Sequence, residues 1–376
     1  STKAPSPEPI HDDTDTVSDR ETPEENEEVR ALKAENARLQ NALDEQNGVR
    51  QIFSKVKYWT DNYVERNTAA LAKLPPDDKQ SILRSLEGYC VQDLDWDTFI
   101  GSLPYPICNS APRHIARCML VKDIIEKFFE NPFWYFEGKT EQGEEFPQHL
   151  QHLFQQFLEA NPESATLWKT ETVRLANSIT KDQAPNTKLG IHTKRRREDA
   201  ARSFASAMLA SLPLRMLLAK REASNRDEEL VTYYAQAQEL AICLGQSCGI
   251  CEYTNLGRLS SPLFSHRSEN MKAHPNHSLW PDDPRLDGRR ILFITQPAVS
   301  RLRGTTLTGI EERWAPIEAV IEDGEMSQEQ YEKMLKKQRV QEEEEGQRIW
   351  DEISKRQAEW NRIEKEQKEN RKNRDE

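Results

Sequence analysis

The sequence predicts a mainly α protein with one small β element, and three patterns carry that prediction. Apolar residues recur at three- and four-residue steps along most of the first 245 residues, which is the spacing of one helix face. Residues 290–295 form the clearest strand candidate, and residues 305–308 and 317–321 could pair with it. From Ser327 onward the residues are mostly charged, with both signs mixed, which indicates a long solvated helix.

Composition and periodicity divide the chain into five segments. Hydrophobic residues make up 36% of the 376, so not all of the length can be packed core. Residues 1–28 hold ten acids against two bases and few large apolar side chains, which predicts a disordered acidic tail. A short coiled coil at 29–47, a helical body at 49–245, a loop-rich segment with a minor sheet at 246–321 and a charged helix at 327–376 complete the prediction.

The helical body is predicted to contain several separate amphipathic helices. The strongest pattern ends at residues 131–132, Asn-Pro, and four consecutive aromatic residues follow at 133–136. Four contiguous aromatics are typical of a packed corner between helices, although they could also line a pocket. Further helices are predicted at 147–159, 163–180, 196–222 and 226–245.

The distribution of charge argues against nucleic acid and membrane as direct partners. The net charge is −12, but residues 29–321 are electrically balanced because the excess acids lie at the two ends. A neutral body provides no general field for nucleic acid or an anionic membrane, and no stretch reaches the ~20 apolar residues of a membrane helix. Six cysteines in this length favour a reducing intracellular compartment, cytoplasmic or nuclear.

A heptad pattern near the amino terminus is the most informative functional feature. Its positions are Val29, Leu32, Asn36, Leu39 and Leu43, and we refer to them as the seam. An amide at an a position costs stability but fixes register and favours a parallel, two-stranded coil. We therefore expect the seam to contact a second copy, giving a homodimer, or another protein; docking on the chain's own domain is the alternative.

At Gly48 the heptad pattern slips by one residue. The next stripe is Val49, Ile52, Val56, Trp59 and Tyr63. Glycine is a weak helix former, so a helix that bends or restarts at Gly48 is predicted, with the second stripe packed on the body. A basic-region leucine zipper is excluded, because residues 19–28 are acidic and interrupted by Pro23.

One compact basic cluster comprises Lys194, Arg195, Arg196 and Arg197. It fits a nuclear-import signal or a phosphate-contacting patch. The alternative is an exposed helix start in which Glu198 and Asp199 neutralise the last two arginines.

Cysteine and histidine residues are concentrated between positions 243 and 277. A zinc site formed by Cys248, Cys251, His274 and His277 is conceivable, although its spacing does not match a zinc finger. A redox Cys-x-x-Cys motif would need a strand before it and a helix after it, whereas a helix is predicted before Cys248. Ordinary thiols and loop histidines are the other interpretation, and neither a cofactor nor a catalytic motif is predicted.

Three segments, residues 53–63, 124–134 and 288–304, carry a family resemblance. The chain resembles a set of uncharacterised proteins from filamentous fungi. The features it shares with them are an acidic tail, a short coiled coil, an aromatic corner and a strand followed by a Pro and an Arg-x-Gly pattern. The resemblance covers about residues 29–321 and implies a helical body but no established activity.

These observations predict a non-enzymatic interaction or scaffold protein that self-associates or pairs through the seam. A nuclear regulatory protein without its own DNA-reading motif and a zinc-binding protein are the alternatives.

Overall fold

The computed structural model describes residues 23–178, 188–220, 225–280, 282–303 and 310–375. The architecture is mainly α with small three-stranded sheets, as the sequence predicts. The chain divides into two compact units, residues 1–47 and 48–376. Most of the predicted acidic tail lies outside the described residues, while its last six residues belong to the first helix.

The helices account for most of the described chain. Their bounds are α1 Pro23–Tyr63, α2 Pro76–Arg84, α3 Trp96–Ser102, α4 Ile107–Ile124, α5 Phe146–Ala160, α6 Pro162–Ala176, α7 Lys188–Ala210, α8 Leu212–Leu217, α9 Arg226–Gln246 and α10 Gln328–Asp375. A π-helical turn, Ile125–Phe129, directly follows α4.

Gly48 lies inside α1, so the predicted restart of the helix at this residue is wrong. A Cβ atom at position 48 would lie only 2.7 Å from Cδ1 of Leu240, so the missing side chain lets α1 and α9 approach closely. Four residues of the second stripe are buried, as predicted, with Val56 and Trp59 fully enclosed, whereas Tyr63 is partly exposed. The Trp59 indole Nε1 donates a hydrogen bond to the Arg226 carbonyl oxygen at 3.0 Å, which fixes α1 to the start of α9.

Periodicity located α5, α6 and α9 within a few residues of their observed bounds. The single helix predicted at 196–222 is wrong, because α7 ends at Ala210 and α8 begins at Leu212. Pro213 lies in the first turn of α8, where its missing N–H costs little. The predicted end of α6 at residue 180 is also too late, since α6 ends at Ala176.

Six strands form two small sheets. They are β1 Ile250–Thr254, β2 Met271–Ala273, β3 Ile291–Gln296, β4 Ala298–Arg303, β5 Ile310–Ala315 and β6 Ile317–Ile321. The first sheet has the antiparallel order β1-β4-β5, and the second has the order β2-β6-β3 with β2 parallel to β6. The loop predicted at 246–289 therefore contains two strands, and the strand predicted at 305–308 lies outside the described residues.

The main hydrophobic core lies where helices cover the second sheet. Every residue of β3 and β6 is buried, and α4 packs against β3. A smaller cluster contains the aromatic corner, in which the Phe133 ring contacts the rings of Phe154 and Trp168 with centroids 6.1 and 5.3 Å apart. The corner is packed, as predicted, and it joins α5 and α6 to the body.

Candidate interaction surface

The described side chains of the seam face solvent on α1. Leu32, Leu39 and Leu43 are 59%, 51% and 48% exposed, and Asn36 is also exposed. The side chain of Val29 lies outside the described part of the chain. The leucines are therefore accessible to a second polypeptide at heptad spacing.

Polar residues surround the seam on this part of α1. Arg30, Lys33, Gln40 and Asn41 are exposed, and Gln40 Nε2 donates to Asp44 Oδ1 at 2.9 Å. Polar contacts four residues apart support a solvated helix. The exposed leucines thus form an apolar row within a polar surface, which is the arrangement of an amphipathic helix.

The basic cluster lies on α7 and is only half exposed. Lys194 and Arg195 are exposed, whereas Arg197 is buried and donates to Gln238 Oε1 at 2.5 Å. Arg196 forms an ion pair with Glu137 and donates to the Phe136 carbonyl oxygen at 3.3 Å. Two of the four basic side chains are therefore occupied within the chain, which argues against their recognition by an import receptor.

The predicted neutralising partners of the two arginines are wrong. Arg197 lies 3.5 Å from Glu239 on α9, and Arg196 pairs with Glu137 after the aromatic corner. Glu198 instead lies 3.8 Å from Lys194, one helical turn away. The arginines thus hold α7 against neighbouring elements of the fold.

The cysteines and histidines considered for zinc do not come together. Cys251 lies in β1 of the first sheet, while His274 directly follows β2 of the second. Within the described residues, no group of three or more His, Cys, Asp or Glu side chains could hold a metal ion. The two histidines have other partners: His274 Nδ1 accepts a 3.2 Å hydrogen bond from the Asn276 N–H, and His277 Nε2 accepts a 3.0 Å hydrogen bond from the Ile321 N–H.

A buried polar cluster around Glu318 was not predicted. The Glu318 carboxylate on β6 lies 2.9 Å from the Arg117 guanidinium and accepts a 2.6 Å hydrogen bond from the Thr295 hydroxyl. His274 Nε2 lies 3.8 Å from the same carboxylate oxygen, and the His274 ring meets the His114 ring edge to face at 4.8 Å. Its residues lie on α4, on β3, on β6 and directly after β2, so the cluster joins α4 to the second sheet.

Burial and charge set the protonation states of this cluster. Burial alone would raise the pKa of Glu318, but Arg117, the Thr295 hydroxyl and Lys272 together hold this pKa below its ordinary value. Burial, reinforced by the Arg117 charge, lowers the pKa of His114 to about 4. Burial, together with the nearby His114 and Arg117, also lowers the pKa of His274 far below its ordinary value. The carboxylate is therefore ionised and both imidazoles are neutral near neutral pH.

A small cavity lies beside the Cys-x-x-Cys segment, between α6, α9 and β1. Its volume is about 90 Å³, and Lys169, Cys251 and Tyr253 contribute to its lining. The buried Lys169 amine donates to the carbonyl oxygens of Ser247 and Gly249 at 2.9 and 3.0 Å, so its contacts hold the chain that leaves α9.

Comparison with known proteins adds no relative: no family model matches the chain, and no curated protein or solved structure is similar to it. The resemblance to filamentous-fungal proteins therefore stays an expectation. Among the described helices, none has a stretch that is both long and apolar enough to cross a membrane.

Proposed function

We propose that this chain is a non-enzymatic scaffold protein that pairs with a second copy of itself through the seam. One observation carries the proposal: Leu32, Leu39 and Leu43 are about half exposed although they follow the heptad spacing of a helix-pairing face. A helix that packs on its own domain would bury these leucines, as α1 does with Val56 and Trp59 further along.

The position of Asn36 favours a parallel pair of two helices. In that arrangement the two Asn36 side chains meet across the interface and can hydrogen-bond to each other, whereas a shifted register leaves each amide against leucine. Burial of an unpaired amide costs roughly 1–3 kcal/mol. A single central asparagine thus selects one register at some expense in stability.

The expected affinity is modest. Complete burial of an exposed leucine contributes roughly 1.5–3 kcal/mol, and the six leucines of two copies begin about half exposed. Together they would contribute roughly 5–9 kcal/mol, against about 4–15 kcal/mol of lost translational and rotational freedom. We therefore expect association to depend strongly on protein concentration.

The test combines Leu32→Ala and Leu39→Ala in the full chain. The molar mass is measured by light scattering over a range of concentrations, and helix content by circular dichroism. The variant should dissociate at concentrations where the parent chain is paired, with helix content close to that of the parent.

A matched control replaces two exposed leucines outside the seam, Leu167 and Leu175 on α6, which are 57% and 67% exposed. This control should keep the parent mass. An unchanged mass in the seam variant, or an equal loss in the control, would refute pairing through the seam.

A further inference from the structure

A single 3-10 turn directly after β2 carries two buried histidines. It comprises residues 274–278, which we call the histidine turn. His274 and His277 are 5% and 0% exposed, and each ring accepts a backbone hydrogen bond, His274 Nδ1 from Asn276 and His277 Nε2 from Ile321. Both nitrogens of a charged imidazolium are donors, so these contacts require two neutral rings.

The histidine turn is held in an unfavourable conformation. Ser278 is buried in the left-handed region with a φ of 49°, which is costly for a residue that has a side chain. His277 Nδ1 is buried without a hydrogen-bond partner among the described residues, and an unsatisfied buried donor also costs stability. The adjoining strand β2 has three residues and lies at the edge of its sheet. Opening of this segment therefore sacrifices little, and it leaves the remaining fold intact.

The surroundings of the two rings are rich in positive charge. The groups that face the rings or the adjacent His114 are Lys57 on α1, Arg113 and Arg117 on α4, Lys272 on β2, Glu318 on β6, and Arg285 with its partner Asp323 after the turn. Glu318 already binds Arg117 and the Thr295 hydroxyl, and Asp323 already pairs with Arg285. A proton on either ring would thus add positive charge beside guanidinium groups whose carboxylates are engaged.

We propose that the histidine turn is an acid-sensitive switch, which packs against α4 and β6 while both rings are neutral and opens when His274 and His277 bind protons. Opening leaves Arg117, Glu318 and Thr295 in contact, because these residues lie on α4, β6 and β3. No charge is therefore left buried without its partner, and β6 keeps its pairing with β3. The switch is separate from the seam and goes beyond the proposed function.

Proton uptake sets the size of the expected response. In the open turn both rings titrate near the ordinary histidine pKa of about 6.5. In the closed turn, burial lowers the pKa of His277 to about 3 and that of His274 further. From pH 7 to pH 5, the equilibrium constant for opening should therefore rise about 25-fold for each ring and several hundred-fold for the two together.

Hydrogen exchange of backbone amides in the full chain measures this opening. The reporters are the amides of His274, which donates to the Ala319 carbonyl oxygen at 2.7 Å, and of Ile321. Amides in the middle of α9 report global unfolding. After correction for the pH dependence of intrinsic exchange, protection of the two reporters should fall several hundred-fold from pH 7 to pH 5, while the α9 amides stay better protected throughout.

Two results of this measurement would overturn the proposal. Equal protection of the reporters and of α9 at each pH would show that the turn opens only in global unfolding. Reporter protection that does not change with pH would show that protons do not drive the opening.

The variants His274→Asn and His277→Gln identify the rings that bind the protons. Asparagine Oδ1 replaces the accepting Nδ1, and glutamine Oε1 replaces the accepting Nε2, so each variant keeps its hydrogen bond but loses the titrating group. Each single variant should reduce the change between pH 7 and pH 5 to about 25-fold, and the double variant should remove most of it.

His152→Gln is the matched control, because His152 is exposed on α5, and it should respond to pH like the parent chain. The readout is a ratio between two pH values, so a variant that weakens the closed turn at pH 7 still tests the switch. A double variant that retains the full response to pH would refute it.

Discussion

The guanidinium of Arg117 lies 2.9 Å from the carboxylate of Glu318, and both side chains are less than a tenth exposed. The pair links α4 to β6, the central strand of the second sheet. Removing one partner leaves the other charge buried without compensation, which costs roughly 3–5 kcal/mol. We therefore expect Arg117→Met or Glu318→Leu each to lower the free energy of unfolding by about that amount in urea titrations.

The double variant Arg117→Met with Glu318→Leu should lose less unfolding free energy than the two single variants lose in total. Replacing a buried ion pair with apolar residues is often neutral, but here the Thr295 hydroxyl also loses its acceptor. The recovery should therefore be partial. Strictly additive losses would contradict direct coupling between the two residues.

Stability should fall as the pH drops below about 6.5. Burial lowers the pKa of His114 to about 4 and that of His277 to about 3. Between these values and the ordinary histidine pKa, the unfolded chain binds protons that the folded chain does not. Each such histidine then removes about 1.4 kcal/mol of stability per pH unit of acidification.

Urea unfolding at pH 7, 6 and 5 measures this slope. His114→Gln should reduce the slope between pH 6 and 5 by up to about 1.4 kcal/mol per unit, whatever its effect on stability at pH 7. His152→Gln is the matched control, because His152 is exposed on α5. A slope that His114→Gln leaves unchanged would mean that His114 is not neutral in the fold.

Gly324→Ala should destabilise the protein, because backbone occupies the place of its Cβ. That atom would overlap the Gly101 carbonyl oxygen and lie 3.2 Å from Ser102 Cα. The adjacent Asp323 N–H donates to the Ser102 carbonyl oxygen at 3.1 Å, so the two segments are held together. A loss of roughly 1–3 kcal/mol is expected from such overpacking.

Gly346→Ala is the control for that substitution. Nothing lies within 4 Å of a Cβ atom at position 346 in α10, and alanine is favoured over glycine by roughly 1 kcal/mol inside a helix. In thermal unfolding, Gly324→Ala should therefore lower the melting temperature and Gly346→Ala should raise it. Equal melting temperatures of the two variants would show that the turn at Gly324 accommodates a methyl group without loss of stability.

Asn36→Leu tests the register selected by the seam. An all-apolar seam should associate at least tenfold more tightly but with less discrimination, giving trimers or tetramers beside dimers in light scattering. Asn41→Leu is the control, since Asn41 is also exposed but occupies the heptad position farthest from the seam. Weaker association of the Asn36→Leu chain would contradict a buried a position.

Periodicity predicted the helical architecture because each helix buries one face, and that face repeats along the local sequence. The phase slip at Gly48 marks the change from the exposed seam to the mostly buried second stripe, as predicted, but both lie on one continuous helix, so the slip did not indicate a new helix. The division between α7 and α8 also had a local signal, since Pro213 favours the first turn of a new helix.

The Glu318 cluster was not predictable by the same means. Its members come from α4, β3, β6 and the end of β2, and only the tertiary fold brings them together. A partial signal existed in charged residues within apolar runs, such as Glu318 in the strand Ile317–Ile321. The short strand β2 was missed because three residues carry no periodicity.

The distance along the chain between Arg117 and Glu318 has a consequence for synthesis. About 200 residues separate them, so at ribosomal rates of about 5–20 residues per second the guanidinium emerges roughly 10–40 seconds before its carboxylate. During that interval, burial of α4 would leave the positive charge of Arg117 without its partner carboxylate. The amino-terminal helices should therefore stay incompletely packed on the ribosome until β6 has been made.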